Sequence, residues 1–199
     1  MIRVGIMASG FSARLGNDKL LADLQGYPLI QWTLRAALES DIGPVTLIYR
    51  TPEVEAIGKR MAVETQHNSD AELGQSAAVR MIVDYEDSCG GYLFLPGDQP
   101  LILAETLRQM AQIFKASPQS IVSMSVDGVP YSPTVFPLSC RAVLMALEGD
   151  RGGRIVAESG IWQRILVPAQ YAWEAWDVDR SEDLERIRRT AHLINLEMK

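Results

Sequence analysis

A short apolar run that passes directly into small, polar and charged residues is the feature that most constrains this chain. The run from Val4 to Met7 predicts a buried strand, and the residues after it are poor helix formers. Glycines let a backbone approach a ligand closely, and the amides of a turn can point at an anion. Arg14 adds a planar cation that can make two parallel hydrogen bonds, and Lys19 adds a mobile point charge. The polar, glycine and cationic positions are Ser9, Gly10, Ser12, Arg14, Gly16 and Lys19.

This segment favours a site for several phosphates, and an ordinary loop between a strand and a helix is the alternative. Its spacing excludes two common phosphate-binding motifs. Gly10 and Gly16 are separated by five residues, whereas a P-loop needs a shorter spacing followed by Lys-Ser or Lys-Thr. A dinucleotide-binding fingerprint needs a third glycine, which the segment lacks.

Composition limits the class of protein and its partners. The chain has 199 residues, 47% of them apolar, and we expect a single domain over residues 1–199 with a hydrophobic core. A net charge of −6 argues against a surface that coats nucleic acid. An anionic substrate would therefore be met by local cations or a metal. No apolar stretch approaches the roughly 20 residues that span a bilayer, so we expect no membrane partner.

The cysteines, histidines and first residues indicate a compartment. Cys89 and Cys140 stand alone, and the chain has two histidines, His67 and His192, which does not favour a zinc site or a disulfide scaffold. The first residues enter the predicted strand directly, without a signal-peptide pattern. We therefore expect a cytoplasmic protein.

Apolar runs alternate with helical patterns along most of the chain, which predicts an α/β fold with a largely parallel sheet covered by helices. Thr51 and Pro52 predict a helix start, and a last helix is predicted from about Ser181. The predicted strands are 2–7, 45–49, about 62–65, 92–95, 120–126 and 163–168, and two further predicted helices are 30–40 and 103–115.

The segment 127–150 breaks this alternation with a glycine and several prolines. We expect a hairpin or insertion at about residues 129–136, laid over the edge of the sheet as a wall for a second substrate. A plain connecting loop is the alternative.

Carboxylates follow two of the predicted strands, where ligands bind in α/β sheets. Asp98 comes directly after a strand that ends in Pro-Gly, and a carboxylate beside phosphates is what Mg²⁺ requires. Asp177 and Asp179 share one side of a short extended segment, so that one metal could be held between that side and Asp98. The alternatives are a turn or N-cap role for Asp98 and an N-cap role for Asp179, which would leave Asp177 without a role.

Two glycine-containing turns complete the set of candidates. Gln75 can pair with the edge of a nucleobase, and the amides at the start of its helix are open to a phosphate or carbonyl. Ser76 is otherwise a simple N-cap. The turn from Gly149 to Arg154 carries two arginines and is a candidate anion cradle, with a solvated loop as the alternative.

The order of these features resembles the MobA-like nucleotidyltransferases, and most closely their molybdenum cofactor cytidylyltransferase (MocA-like) branch. The matching segments are IMASGFSARLGNDKLL, GQSAAV, LPGDQP, EGDRGGR and DVDRSEDL, which occur in the family's order over nearly the whole chain. The resemblance implies a three-layer α/β/α fold with a mixed, mostly parallel sheet. It also implies Mg²⁺-dependent transfer of a nucleoside monophosphate from a triphosphate to a phosphorylated acceptor, with release of pyrophosphate.

The resemblance further implies roles for single residues. It gives catalytic roles to Arg14, Lys19 and Asp98, and metal contacts to Asp98 and Asp179. The implied nucleotide-binding residues are Ala8, Ser9, Gly10, Ser12, Arg14, Lys19, Gly74, Gln75 and Ser76. The implied acceptor-binding residues are Gln99, Asp150, Gly152, Gly153 and Arg154.

The chain departs from the family pattern at three positions. The family usually has alanine or glycine in place of Ser9, serine in place of Ala78 and threonine in place of Arg180. The GDQP segment with Gln99 and the Gly-Gln-Ser segment favour CTP over GTP. The implied acceptor is molybdopterin or its metal-bearing form, and a molybdenum hydroxylase is the implied partner. Two alternatives are a guanylyl- or other nucleotidyltransferase acting on a sugar phosphate or phospho-alcohol, and a non-catalytic cofactor chaperone. All of these roles require Lys19 and Asp98 to face a common cavity.

Overall fold

The structure, a computed structural model, describes residues 1–11, 18–85 and 89–193. Among these residues, seven strands form one sheet in the order β5-β4-β1-β6-β8-β7-β9, and β2 pairs with β3 separately. Every pairing in the large sheet is parallel except the two made by β8. The strands are β1 (Ile2–Ala8), β2 (Asp23–Leu24), β3 (Tyr27–Pro28), β4 (Val45–Tyr49), β5 (Glu64–His67), β6 (Gly91–Pro96), β7 (Ile121–Val126), β8 (Val129–Pro137) and β9 (Arg164–Pro168).

Helices cover both faces of the sheet, which gives the three layers that were predicted. One buried cluster joins the sheet to α1, α2, α4 and α7, and a second joins the opposite face to α3, α5 and α6. No helix of the described residues combines the length and apolar composition needed to cross a bilayer. The helices are α1 (Leu29–Ser40), α2 (Pro52–Arg60), α3 (Gln75–Val83), α4 (Ala104–Ala116), α5 (Arg141–Met145), α6 (Gly153–Ala157) and α7 (Ser181–Leu193).

The local sequence explains where the central elements begin and end. Val4 and Ile6 of β1 are completely buried, as expected for a central parallel strand with both faces covered. Pro52 occupies the first turn of α2 after the extended residue Thr51, as predicted, although the Thr51 hydroxyl does not cap the helix. The helix α1 ends at Ser40, and the next residue, Asp41, has a φ of 51° in the left-handed region that stops a helix.

The hairpin predicted at about residues 129–136 is present, but its predicted position at the edge of the sheet is wrong. The strand β8 lies inside the sheet, antiparallel to both β6 and β7. Asp127 and Gly128 form its turn with positive φ angles of 50° and 77°. Because Phe94 of β6 pairs with Thr134 of β8, the hairpin adds side chains to the face of the sheet itself.

Both cysteines of the chain are buried. Burial raises the pKa of the Cys140 thiol to about 12, so that this side chain stays protonated at neutral pH.

The contact between β1 and α3 leaves no room for a side chain at Gly5. A methyl group there would lie inside the contact distance of the fully buried Ile82 side chain. We expect Gly5→Ala to destabilise the fold by about 1–3 kcal/mol, because overpacking forces Ile82 to move.

The same contact predicts coupling between the two positions. Ile82→Ala alone leaves a cavity and costs about 2–5 kcal/mol, whereas in the Gly5→Ala background part of that space is filled. Urea denaturation of the wild type, the two single variants and the double variant measures the coupling. This packing is contradicted if the loss of unfolding free energy in the double variant equals the sum of the losses in the two single variants.

Candidate active site

The segment after β6 is held by hydrogen bonds to the end of β1 and to α1. The amide of Gly97 donates to the carbonyl of Met7 at 3.0 Å, and the Thr33 hydroxyl of α1 donates to the carbonyl of Gly97 at 3.1 Å. A Cβ atom at Gly97 would lie 2.8 Å from Ile30 Cδ1 and 3.2 Å from the Met7 carbonyl oxygen, so glycine favours this close approach. These contacts hold the following residue, Asp98, beside the loop that follows β1.

Lys19 lies on a short 3₁₀ turn, Lys19–Leu21, that is held by the preceding Asp18. The Asp18 carboxylate accepts hydrogen bonds from the Leu20 amide at 3.1 Å and from the Thr51 hydroxyl at 3.3 Å. The Asp18 side chain therefore ties the turn to the segment after β4, and the Lys19 side chain is directed at the carboxyl edge of the sheet.

The Lys19 ammonium contacts two carboxylates. Its Nζ lies 2.5 Å from Asp98 Oδ2 and 3.2 Å from Asp179 Oδ1. Burial opposes the charge of Lys19, but the two carboxylates outweigh it, and the pKa of Lys19 lies above its ordinary value. The side chains of Lys19 and Asp98 are 18% and 17% exposed, so solvent screens this ion pair less than a surface pair. Lys19 and Asp98 therefore face one another, and the roles implied by the resemblance require this arrangement.

The segment that carries Asp177 and Asp179 is anchored from both sides. Val178 between them is fully buried, which directs both aspartates away from the core. The buried Glu174 accepts hydrogen bonds from the amides of Leu103 at 3.2 Å and Tyr171 at 3.1 Å, and so fixes the preceding turn to the start of α4. At its other end, Asp183 in the first turn of α7 accepts hydrogen bonds from the amides of Asp179 and Arg180 and so holds the segment against this helix.

Asp98, Asp177 and Asp179 form a carboxylate cluster in which ligand oxygens from all three lie within 4.8 Å of one another. Burial, followed by the charges of Asp98 and Asp179, raises the pKa of Asp177 above its ordinary value. A cluster of hard oxygen donors with partly unbalanced negative charge fits a divalent cation such as Mg²⁺. The metal contacts implied by the resemblance were Asp98 and Asp179, and Asp177, which the sequence analysis placed on the same side as Asp179, lies beside both.

Ser9 is buried at the end of β1 and is held by a residue that the sequence analysis missed. The Asn68 side-chain amide donates to Ser9 Oγ at 2.8 Å, and Asn68 Oδ1 accepts from the amide of Asp70. Since Ser9 Oγ accepts this bond, its own proton is available to an acceptor in the cavity. Asn68 directly follows β5, so the rule that placed candidates after strands also applies to it.

The start of α3 contacts the turn that begins at Gly149. The amide of Ser76 donates to the carbonyl of Gly149 at 3.2 Å, and the amide of Gln75 lies 3.4 Å from Asp150 Oδ1. The expectation that the first amides of this helix are open to a ligand is therefore wrong for these two. Ser76 is fully buried, and its hydroxyl accepts from Arg80 instead of capping the helix.

The rest of this turn leads into α6. A Cβ atom at Gly153 would lie 2.8 Å from the Phe136 ring, so glycine allows α6 to pack on the aromatic pair Phe94 and Phe136. Arg154 is largely exposed and forms an ion pair of 2.7 Å with Glu158 one helical turn later.

Gln99 contacts the hairpin. Its Nε2 donates to the carbonyl of Ser132 at 3.1 Å, while its Oε1 is buried without a hydrogen-bond partner among the described residues. The residue after Asp98 thus links the carboxylate end of the site to β8.

One cavity of about 1050 Å³ joins these elements, which is large enough for two substrates. Ser76 and Gly152 do not line it, and Ser12 and Arg14 lie outside the described residues. The predicted residues that line it are Ala8, Ser9, Gly10, Lys19, Gly74, Gln75, Asp98, Gln99, Asp150, Gly153, Arg154 and Asp179.

The hairpin predicted as a wall for a second substrate lines the cavity through residues 129–132 and Thr134 of β8. The lining also includes Asp177, which the sequence analysis placed on the same side as Asp179, and Arg164, which it did not identify. Arg164 is the first residue of β9, at the end of the strand away from the carboxyl edge, so a search after strands cannot find it.

The carboxylate cluster predicts an effect of charge on stability. In metal-free protein, we expect Asp177→Asn to raise the melting temperature by about 1–3 °C at pH 7, because the ionised side chain of Asp177 is repelled by its neighbours. As the pH falls through the raised pKa of Asp177, the wild type binds a proton and loses this cost, so that the difference disappears.

Thermal denaturation in EDTA at pH 7 and at acidic pH tests this expectation, with the exposed Glu72→Gln as the matched control. The stabilisation of the wild type by added Mg²⁺ should be weaker in Asp177→Asn and unchanged in Glu72→Gln. A lower melting temperature for Asp177→Asn at pH 7 would contradict the assigned repulsion.

Comparison with known proteins defines the class of this site. The profile of the MobA-like NTP transferase domain matches residues 4–165, and the chain belongs to this family of nucleotidyltransferases. The purine catabolism protein PucB of Bacillus subtilis is 29% identical over 92% of this chain and 94% of its own length. A probable molybdenum cofactor guanylyltransferase of Opitutus terrae is 23% identical over 92% and 93%.

A third relative matches a shorter part of the chain. The 3-deoxy-manno-octulosonate cytidylyltransferase of Bdellovibrio bacteriovorus is 28% identical over 58% of this chain and 47% of its own length.

Solved structures share the fold. A nucleotidyl transferase from Methanothermobacter superimposes with a TM-score of 0.83 at 20% identity, and the match covers 99% of each chain. A manganese complex of the Mycobacterium tuberculosis protein Rv0371c superimposes with a TM-score of 0.74 at 20% identity, over 96% of this chain and 100% of that one. These matches support the three-layer architecture.

Proposed function

We propose that this protein transfers CMP from CTP, with Mg²⁺, to the phosphate of an acceptor and releases pyrophosphate. The favoured acceptor is molybdopterin or its metal-bearing form. The observation that carries this proposal is the convergence of the Lys19 ammonium with the carboxylates of Asp98, Asp177 and Asp179 at one end of a cavity that has room for two substrates.

The choice of nucleotide and acceptor rests on several supports. A cytidylyltransferase is among the relatives, and the GDQP and Gly-Gln-Ser segments favour CTP. The Opitutus relative, which aligns over most of the chain, supports a molybdenum cofactor as acceptor and makes GTP the second candidate nucleotide.

The chemistry is an in-line displacement at phosphorus. An oxygen of the acceptor phosphate attacks the α-phosphorus of the nucleotide, a new P–O bond forms, and the bond to pyrophosphate breaks. No side chain need remove a proton from the nucleophile, because a phosphate monoester is largely ionised at neutral pH. Catalysis then comes from positioning and from neutralising negative charge.

Different residues of the site would position the substrates and neutralise their negative charge. Asp98, Asp177 and Asp179 would hold the divalent cation, which when bound supplies positive charge to the phosphate oxygens. Lys19, whose ammonium lies beside the carboxylates of Asp98 and Asp179, would contact the phosphate oxygens of the nucleotide. Ser9, fixed by Asn68, donates its hydroxyl to the nucleotide, and Gln75 contacts the base.

The first test removes one carboxylate. We expect Asp98→Asn to slow pyrophosphate release by about 10²–10³-fold, because charge neutralisation in the transition state is lost. Pyrophosphate release is measured by a coupled assay with CTP, Mg²⁺ and molybdopterin, with Glu72→Gln as the control that keeps the activity. An unchanged rate in Asp98→Asn would remove Asp98 from the catalytic site.

The second test identifies the nucleotide. A ligand that binds only the folded protein raises its melting temperature, and we expect CTP with Mg²⁺ to do so more than GTP, ATP or UTP. A larger shift with GTP would favour guanylyl transfer. Nucleotide binding without Mg²⁺-dependent pyrophosphate release, across molybdopterin, sugar phosphates and phospho-alcohols, would favour the cofactor chaperone over the enzyme.

A further inference from the structure

The sheet face opposite α1 and α4 is apolar near β6 and carries polar groups toward β7 and β9. Near β6 it is covered by the aromatic rings of Phe94 and Phe136, which pack against α3, α5 and α6. Toward β7 and β9, the same alternation places buried hydroxyls at Ser123 and Thr134. A buried hydroxyl costs free energy unless it is hydrogen-bonded, so a polar floor at this position needs polar partners.

Arg164 supplies such a partner and lines the cavity itself. Its Nε donates to Ser123 Oγ at 3.0 Å, and Ser123 Oγ shares a hydrogen bond of 3.0 Å with Thr134 Oγ1. This contact uses the nitrogen nearest the side-chain stem and leaves both terminal Nη groups of the guanidinium available. Within the described residues, neither Nη group has a hydrogen bond or an ion pair.

The charges near Arg164 do not neutralise it. Glu158 attracts it, but the Glu158 carboxylate already forms the 2.7 Å ion pair with Arg154. Burial, which is the largest effect, lowers the pKa of Arg164 from its ordinary value, although an arginine stays charged at neutral pH. The group is therefore a positively charged fork, partly removed from water and fixed by a hydroxyl pair.

We propose that Arg164 binds an oxyanion of the acceptor, distinct from the phosphate that attacks the nucleotide. This proposal rests on the proposed function and adds a requirement to it, because the acceptor must carry a second group with at least two anionic oxygens. Two parallel N–H···O bonds from the guanidinium recognise such a group. A second phosphate or carboxylate on the acceptor, or the oxide of a bound metal such as molybdate, has this chemistry.

Calorimetric titration of inorganic phosphate and of molybdate tests the site directly. The protein is first saturated with Mg²⁺ and a non-hydrolysable CTP analogue, so that the triphosphate position is occupied. We expect the wild type to bind one oxyanion and Arg164→Gln to bind it at least 10-fold more weakly. Tighter binding of molybdate would favour a metal-bearing acceptor, and tighter binding of phosphate would favour an acceptor with a second phosphate.

Three further variants separate recognition from general effects. Arg60→Gln, an exposed arginine on α2 away from the cavity, should bind the oxyanion as the wild type does. Arg164→Lys keeps the charge but loses the fork, and should bind with intermediate affinity. Ser123→Ala should weaken binding several-fold, because the guanidinium is no longer held. Thermal denaturation confirms that each variant is folded.

The outcomes distinguish this proposal from the function on which it rests. Equal oxyanion affinity in Arg164→Gln and the wild type, or no binding to the wild type, would overturn the role of Arg164 even if CTP-dependent pyrophosphate release is observed. Absence of pyrophosphate release with every acceptor would overturn the transferase instead. The titration can then be repeated without the analogue, and loss of binding in Arg164→Gln still supports the oxyanion site.

Discussion

The ion pairs of Lys19 with Asp98 and Asp179 are the interaction on which the site depends. Three carboxylates whose oxygens approach within 4.8 Å repel one another, and a folded chain tolerates this arrangement only with positive charge beside it. The ammonium of Lys19 provides that charge from a different loop. Because the partners come from the segments after β1, β6 and β9, this one charge joins three regions that are far apart in the sequence.

The supports behind these residues are as specific as the residues themselves. Asp18 fixes the turn of Lys19, the backbone of Gly97 fixes Asp98, and buried Glu174 fixes the segment of Asp177 and Asp179. Each support uses backbone hydrogen bonds or a buried side chain, which hold position better than an exposed side chain does. The carboxylates are therefore held in place before any ligand arrives, which reduces the free energy needed to assemble the site.

Apolar periodicity predicted the parallel strands and most helices, and the rule that ligands bind after strands brought Lys19 and Asp98 together. The rest depends on contacts between distant segments. The place of β8 within the sheet follows from its pairing with β6, which no local pattern encodes. The burial of Ser76 accompanies the contact of the start of α3 with the turn at Gly149, and the position of Arg164 in the cavity depends on the hydroxyls of β7 and β8. Such side-chain directions are set by packing between distant segments, and they cannot be predicted from local patterns in one sequence.

The position of β8 has an evolutionary consequence. This strand forms a wall of the cavity, yet the carboxylates and Lys19 belong to other segments, and its turn at Asp127 and Gly128 is exposed. Substitutions in the first half of β8 can therefore change the shape of this wall without altering Lys19 or the three carboxylates. The wall and the charged cluster are thus free to diverge independently during evolution.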